Sequence, residues 1–208
     1  MSSAREGELR LRDAVQRAIR DAAARQAAPV VLIDGPSGAG KSSLADVLVA
    51  DWPGDATPRL VRMDDLYSGW GGLDAGSVAV GRDLLRPLRA SGAGRWRQWD
   101  WTADAPAGWH TVDGRAPLIV EGCGTLAMAN VALADLALWL DADDALRKER
   151  ALARDGLSFA THWDQWQHDF ERYVERERPR DNASLVLDVT DWPLDTARQR
   201  ALRANVGT

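Results

Sequence analysis

The sequence predicts an α/β fold in which a parallel β-sheet is covered by helices on both faces, and three observations carry that reading. Short buried-strand runs recur at 29–34, 59–63, 117–121, 136–140 and 184–188, the first rich in β-branched residues and too brief for a helix. Segments with helical spacing separate most of them, and strands that alternate with helices form parallel sheets buried on both faces. Between the first apolar run and a helical segment starting at Lys41 stands a glycine-rich turn, Gly35-Pro36-Ser37-Gly38-Ala39-Gly40. Five strands in one domain over 1–208 follow, enough chain to bury a core without disulfides or structural metal.

Within residues 1–28, Leu11, Val15, Ala18, Ile19 and Ala22 recur at helical spacing with arginines elsewhere, which reads as an amphipathic helix packed outside the sheet. The run 29–34 is a buried strand, and Leu44, Val47 and Leu48 continue a helix from Lys41. Helical spacing returns at 82–90, 142–154, 161–178 and 194–204, and residues 142–180 make up a lid region. Residues 95–113 break the rhythm. With Trp96, Trp99, Trp101 and Trp109 they read as a β-hairpin inserted near the sheet edge.

Composition narrows the range of functions. Hydrophobic residues make up 45% and charged residues 27%, as in soluble globular enzymes. A net charge of −5 argues against coating a nucleic-acid polymer, which needs a basic face. The single Cys123 has no disulfide partner, and His110, His162 and His168 lack zinc-ligand spacing. No apolar run approaches the roughly 20 residues that span a bilayer, and the first residues lack a signal-peptide pattern. The expectation is a cytoplasmic protein acting on a small molecule, with no membrane and no nucleic-acid polymer; a homo-oligomer stays open.

Gly35-Pro36-Ser37-Gly38-Ala39-Gly40-Lys41-Ser42 fits the phosphate-loop pattern G-x-x-x-x-G-K-[ST], with Ser43 following in the helix. Glycines let successive backbone N–H groups point inward at phosphate oxygens. The helix beginning at Lys41 adds its positive dipole end. Lys41 is then the β,γ-phosphate cation, and the Ser42 hydroxyl joins a Mg²⁺ shell. This chain's own residue frequencies give an accidental match in roughly one such chain in a thousand. Only Lys41 and Lys148 are lysines, which makes the position of Lys41 more informative. The fold class sharpens to a P-loop NTPase fold: a five-stranded parallel sheet flanked by helices, with an inserted β-hairpin and an arginine-bearing lid. No asparagine precedes lysine, so the guanine-reading Asn-Lys-x-Asp of switch GTPases is absent, and kinases are the natural home.

The run 59–63 leads into Asp64-Asp65-Leu66-Tyr67. In a parallel sheet that strand end faces the same crevice as the phosphate loop. A carboxylate there can take the proton of an attacking hydroxyl and touch Mg²⁺; either aspartate can instead cap the turn.

Several segments, taken in order over 30–188, resemble the uridine kinase family and its nicotinamide riboside kinase and phosphoribulokinase relatives. Asp64-Asp65-Leu66-Tyr67 is similar to the family's D-x-[FL]-[YFH] element, which implies Asp64 as the base, with Asp65 and Tyr67 on the substrate side. Leu73-Asp74 resembles the acidic element that grips the substrate ribose, and Trp99-Asp100-Trp101 resembles a Tyr-Asp-[FY] strand end. Glu121-Gly122 looks like the Glu-Gly element whose glutamate lies near the metal. Arg147, Arg150, Arg154 and Asp155 fit the lid pattern R-x-x-R-x-x-x-R-D. Those three arginines share one helical face, able to neutralise charge on a transferring phosphoryl group. The resemblance implies an ATP- and Mg²⁺-dependent kinase acting on a hydroxyl of a nucleoside or ribose-like metabolite. The family's base-binding histidine and its Arg-Gly-Arg run after the lid have no counterpart here; Gly156-Leu157-Ser158-Phe159 stands in the latter's place. A kinase for another small metabolite or a nucleoside monophosphate, and a nucleotide-binding regulatory module, remain alternatives.

The tryptophans of 95–113 can sandwich a planar ligand or fill the seam between hairpin and sheet. Trp70, among Gly69, Gly71 and Gly72, suits a substrate cover; Trp163, Trp166 and Phe170 at helical spacing suit the core; Cys123 suits a small packed residue.

Overall fold

The computed structural model describes residues 3–190, so the helix expected at 194–204 lies outside the described residues. In chain order the elements are α1 (Ser3–Arg25), β1 (Val30–Asp34), α2 (Lys41–Ala50) and β2 (Arg59–Arg62). A 3₁₀ turn (Met63–Asp65) precedes α3 (Leu73–Ala79), which runs through a π-helical stretch (Val80–Leu85) into α4 (Arg86–Ser91). The hairpin β3 (Ala93–Asp100) and β4 (Ala105–Asp113) leads to β5 (Leu118–Glu121), α5 (Met128–Val131) and β6 (Leu136–Asp141). Last come α6 (Asp144–Ala160), α7 (Trp163–Glu177), α8 (Pro179–Asn182) and β7 (Leu185–Asp188).

Five strands form a parallel sheet in the order β2-β5-β1-β6-β7. Strand alternation sorts the core into two layers. Val31 and Ile33 of β1 pack with Val15 and Ile19 of α1 and Leu44 and Leu48 of α2. Val30 and Leu32 face the other way, toward Met63, Tyr67, Leu84, Trp166 and Tyr173. The hairpin is a separate two-stranded antiparallel sheet with a register shift between Arg97 and Trp99. Among the described residues no helix is long and apolar enough to cross a membrane.

Two helices are longer than their sequence patterns indicate. The one expected at 82–90 begins at Leu73, because Gly76 and Gly81, helix-weakening by propensity, serve close packing instead. A Cβ on Gly81 would lie 2.1 Å from Asn130 Oδ1. The one expected at 142–154 continues to Ala160, past a non-helical Gly156.

Candidate active site

In a parallel sheet all strand C-termini share one edge, and the order β2-β5-β1 sets three functional segments side by side there. β1 ends at Asp34 and feeds the phosphate loop, β2 ends at Arg62 and feeds Asp64, and β5 between them ends at Glu121. Register places Glu121 level with Ile33 on one side and Arg62 on the other. The resulting crevice is lined by Gly38, Gly40, Lys41, Ser42, Asp64, Glu121 and Arg154, together with Ser37, Gly122, Cys123 and Trp166. Five segments far apart in sequence therefore meet at one place.

The loop is tightly held. Gly40 has φ 87° and caps α2, at whose first turn Lys41, Ser42 and Ser43 lie; Ala39 is buried beneath it. A Cβ on Gly38 (φ 81°) would fall 1.9 Å from the Arg147 carbonyl oxygen, so α6 leans directly on the loop. Behind the loop, the buried Asp34 carboxylate accepts hydrogen bonds from the backbone N–H groups of Gly35 (2.7 Å), Gly124 (3.2 Å) and Leu126 (2.9 Å) and from the Tyr173 hydroxyl (2.8 Å). Lys41 Nζ donates to the carbonyl oxygens of Gly35 (2.7 Å) and Pro36 (2.9 Å) and to Cys123 Sγ (3.5 Å). The clear space among these groups is about 30 Å³.

Asp64 stands exposed at the crevice mouth, whereas Glu121 is buried. Burial first, and then the Asp64 charge, push the Glu121 carboxyl up, against the pull of Lys41, Arg62 and the Ser42 hydroxyl. Two carboxylates with a hydroxyl beside them make a hard oxygen donor set that a divalent cation would relieve of its repulsion. Ser42, Asp64 and Glu121 therefore fit Mg²⁺ shared with a triphosphate. Arg62 bridges Glu121 Oε1 (3.0 Å) and Asp46 Oδ1 (2.5 Å), holding Glu121 from the side away from the loop.

The other expected site residues are distributed less simply. Of the three arginines read as one lid face, only Arg154 lines the crevice. Arg147 is 6% exposed and is engaged by Asp144 (2.7 Å) and Gln167 (3.0 Å), 5.7 Å from the centre of the Trp163 ring. Arg150 turns toward the Thr190 carbonyl (3.5 Å). Helical spacing sets the three arginines along one face, but packing against α7 decides which of them line the crevice. Tyr67 is 2% exposed and donates to the Cys123 carbonyl (2.7 Å), which makes it a strut under the site rather than a substrate contact. Asp65 is half-buried, and burial followed by the adjacent Asp64 raises its carboxyl.

Asp74 and Trp99 meet in a second hollow of about 470 Å³ between the 73–85 helix and the hairpin, with Leu66 and Val78 in its wall and Arg82 and Arg97 also lining it. Asp74 also forms a two-pronged pair with Arg176 of α7 (2.9 and 3.3 Å). Asp100 does not join this hollow. Its carboxylate accepts from the N–H groups of Thr102 (2.9 Å) and Ala103 (3.0 Å), closing the hairpin tip. Trp101 is separated from Trp99 as well: its indole N–H donates to the Asp64 carbonyl (2.8 Å) and its ring meets Trp70 at 5.0 Å. Trp70 in turn stacks on His162 (4.6 Å) and Phe159 (5.4 Å), so the loop after Asp64, the hairpin tip and the lid close on one another through aromatic rings.

Three groups at this site carry no sequence motif. Asp34 and Arg62 sit inside strand patterns, and Trp166 reads as core, which it is at 6% exposure while also lining the crevice. An acidic residue ending an otherwise apolar strand beside a phosphate loop is the one signal that could have drawn attention to Asp34.

No protein-family model and no curated protein matches the chain. Solved structures do. A candidate uridine kinase from Bacillus stearothermophilus superposes with a TM-score of 0.56 at 21% identity, covering 77% of this chain and 89% of that one. A candidate fructose transport system kinase from Silicibacter sp. TM1040 gives 0.54 at 17% identity, covering 84% and 97%. The YGR205w protein gives 0.50 at 12% identity, covering 79% and 86%. Likeness at these identities shows the fold alone: a five-stranded parallel sheet flanked by helices, with the glycine-rich phosphate loop at the end of the central strand.

Proposed function

We propose that the chain is an ATP-dependent kinase that transfers the γ-phosphoryl group to a hydroxyl of a small molecule, with a nucleoside or ribose-like metabolite as the acceptor. The observation that carries this reading is the meeting of Lys41, Ser42, Asp64, Glu121 and Arg154 at one crevice. A triphosphate bound over the loop takes up the backbone N–H groups and the Lys41 ammonium, which leaves its present carbonyl partners. Asp64, exposed at the mouth, accepts the proton of the acceptor hydroxyl as its oxygen attacks the γ-phosphorus and the bond to the ADP oxygen breaks. Arg154 lies where it can meet charge developing on the transferring group. Mg²⁺, held by Ser42, Asp64 and Glu121 together with the phosphates, would neutralise the leaving oxygen. The hollow at Asp74 and Trp99 supplies a carboxylate able to accept two sugar hydroxyls and a flat apolar wall.

Arg82 and Arg97 on that hollow favour a second reading of the acceptor as an anionic metabolite, such as a nucleoside monophosphate. A panel of neutral and anionic hydroxyl compounds, followed by coupled ADP detection, separates the two. Acceptor-dependent ADP release is expected, and Lys41→Ala should weaken Mg-ATP binding about 10- to 100-fold, as the loss of a charge-assisted contact does. Mg-ATP binding without ADP release on any acceptor would instead mark a regulatory module.

A further inference from the structure

We propose that Trp166 of α7 is a positioning residue for nucleotide binding, fixing the Ser37 hydroxyl of the phosphate loop so that its proton is presented to a phosphate oxygen. This rests on the nucleotide-binding reading above and assigns a role to a side chain that the sequence pattern marks only as core.

The Trp166 indole N–H donates to Ser37 Oγ at 2.9 Å. An indole N–H is a donor only, so this contact occupies an acceptor lone pair of the hydroxyl and leaves the Ser37 proton directed elsewhere. Among the described residues, the other hydrogen-bonding group near Ser37 Oγ is Cys123 Sγ at 3.8 Å, a weak acceptor at long range. Burial keeps the Cys123 thiol above its ordinary value, hence neutral. Ser37 and Trp166 both line the phosphate crevice. A polarised hydroxyl proton therefore stands in an anion site without a strong acceptor among the described residues, and a phosphate oxygen is the acceptor that would complete it.

Trp166 is not a loose side chain that would swing away. It is 6% exposed, and the Tyr67 ring meets it edge-on at 4.9 Å. Its helix is anchored a second time by Tyr173, seven residues on, whose hydroxyl reaches Asp34 immediately before the loop (2.8 Å). Residues seven apart lie on one helical face, so α7 grips both ends of the bend from Asp34 to Ser37. Tyr67 belongs to the segment that carries Asp64, and Trp166 thereby also connects the general-base loop to the phosphate loop.

The test is calorimetric titration of Mg-ATP into the wild type, Trp166→Phe, Ser37→Ala, the double variant and Lys41→Ala, with Tm measured on each. Trp166→Phe keeps a ring for Tyr67 to pack on and removes the N–H. It should raise the Mg-ATP Kd about 3- to 10-fold, as loss of one neutral hydrogen bond does, with Tm nearly unchanged. Because both residues act through one hydrogen bond, the double variant should bind no more weakly than Ser37→Ala. Wild-type affinity in Trp166→Phe, or effects that multiply, would overturn the proposal while a weakened Lys41→Ala leaves the nucleotide site standing. If the wild type does not bind Mg-ATP, both readings fall. Should Trp166→Phe loosen α7, seen as a fall in Tm, the Ser37→Ala arm decides, since it disturbs no core packing: unchanged binding there overturns the proposal.

Discussion

Two adjacent aspartates follow β2, and their surroundings differ. Asp64 is exposed at the crevice mouth and lies in the field of Glu121, Lys41 and the phosphate loop. Asp65 is half-buried, and its carboxyl is raised by that burial and by Asp64. A base must meet the acceptor hydroxyl within hydrogen-bond reach, and of the two aspartates Asp64 is the one that lines the crevice. Asp64→Asn should lower kcat by about 10²-fold or more, the usual range for a lost general base, and Asp65→Asn should cost much less. Steady-state kinetics of the two variants check this, and the reverse ranking would move the base by one residue. The motif Asp-x-Leu-Tyr was legible in the sequence. That its tyrosine props up Cys123 was not, because the three residues from Asp64 past the end of the 3₁₀ turn carry the chain from the mouth to the floor.

At the scale of elements, α6 and α7 rest on the phosphate loop and the strand end before it. The backbone contact between Gly38 and Arg147 and the two α7 hydrogen bonds hold them there. Arg154 lines the crevice, whereas Arg147 is buried against α7. Substituting Arg154 by Ala should lower kcat more than it raises the KM for ATP, because charge on the transferring group grows toward the transition state. Arg147→Ala should instead cost stability, on the order of 1–3 kcal/mol, by stripping Gln167 of a buried partner. Paired kinetics and urea unfolding separate these outcomes; equal effects on ATP affinity from both would return Arg147 to the ligand. The helical spacing of the arginines was plain in the sequence. Their division was not, since it depends on Trp163 and Gln167 arriving from the next helix. The hairpin shows the same limit. Alternation places Trp99 and Trp101 on one face, but β3 ends at Asp100, so Trp101 belongs to the turn and packs on Trp70 while Trp99 stays in the hollow.

For the molecule as a whole, the sheet edge is tied together by Asp34, a buried carboxylate serving four donors from three segments. Asp34→Asn would set an amide NH₂ against N–H groups and should cost about 1–3 kcal/mol by leaving buried donors unpaired. Burial also holds this carboxyl above its ordinary value of 3.8, against its hydrogen bonds and Lys41. A group raised by folding binds its proton more tightly in the native state. The stability it lends is then full below the ordinary value and declines as pH rises from about 4 toward the folded value. Urea unfolding of wild type and Asp34→Asn over a pH series should show that decline in the difference between them, and a difference that grows with pH would mean the carboxyl is lowered. The sequence by itself determined what is local or periodic: the alternation of short apolar runs with helices, the phosphate loop, and the aspartate and glutamate at the ends of their strands. Tertiary structure alone decided which of those residues face the crevice and which are held elsewhere. Asp34, Trp166 and Arg62 owe their places to partners 16 to 139 residues away, and Asp100 owes its place to a turn. Periodicity specifies a face, whereas a site is made where faces from distant segments meet.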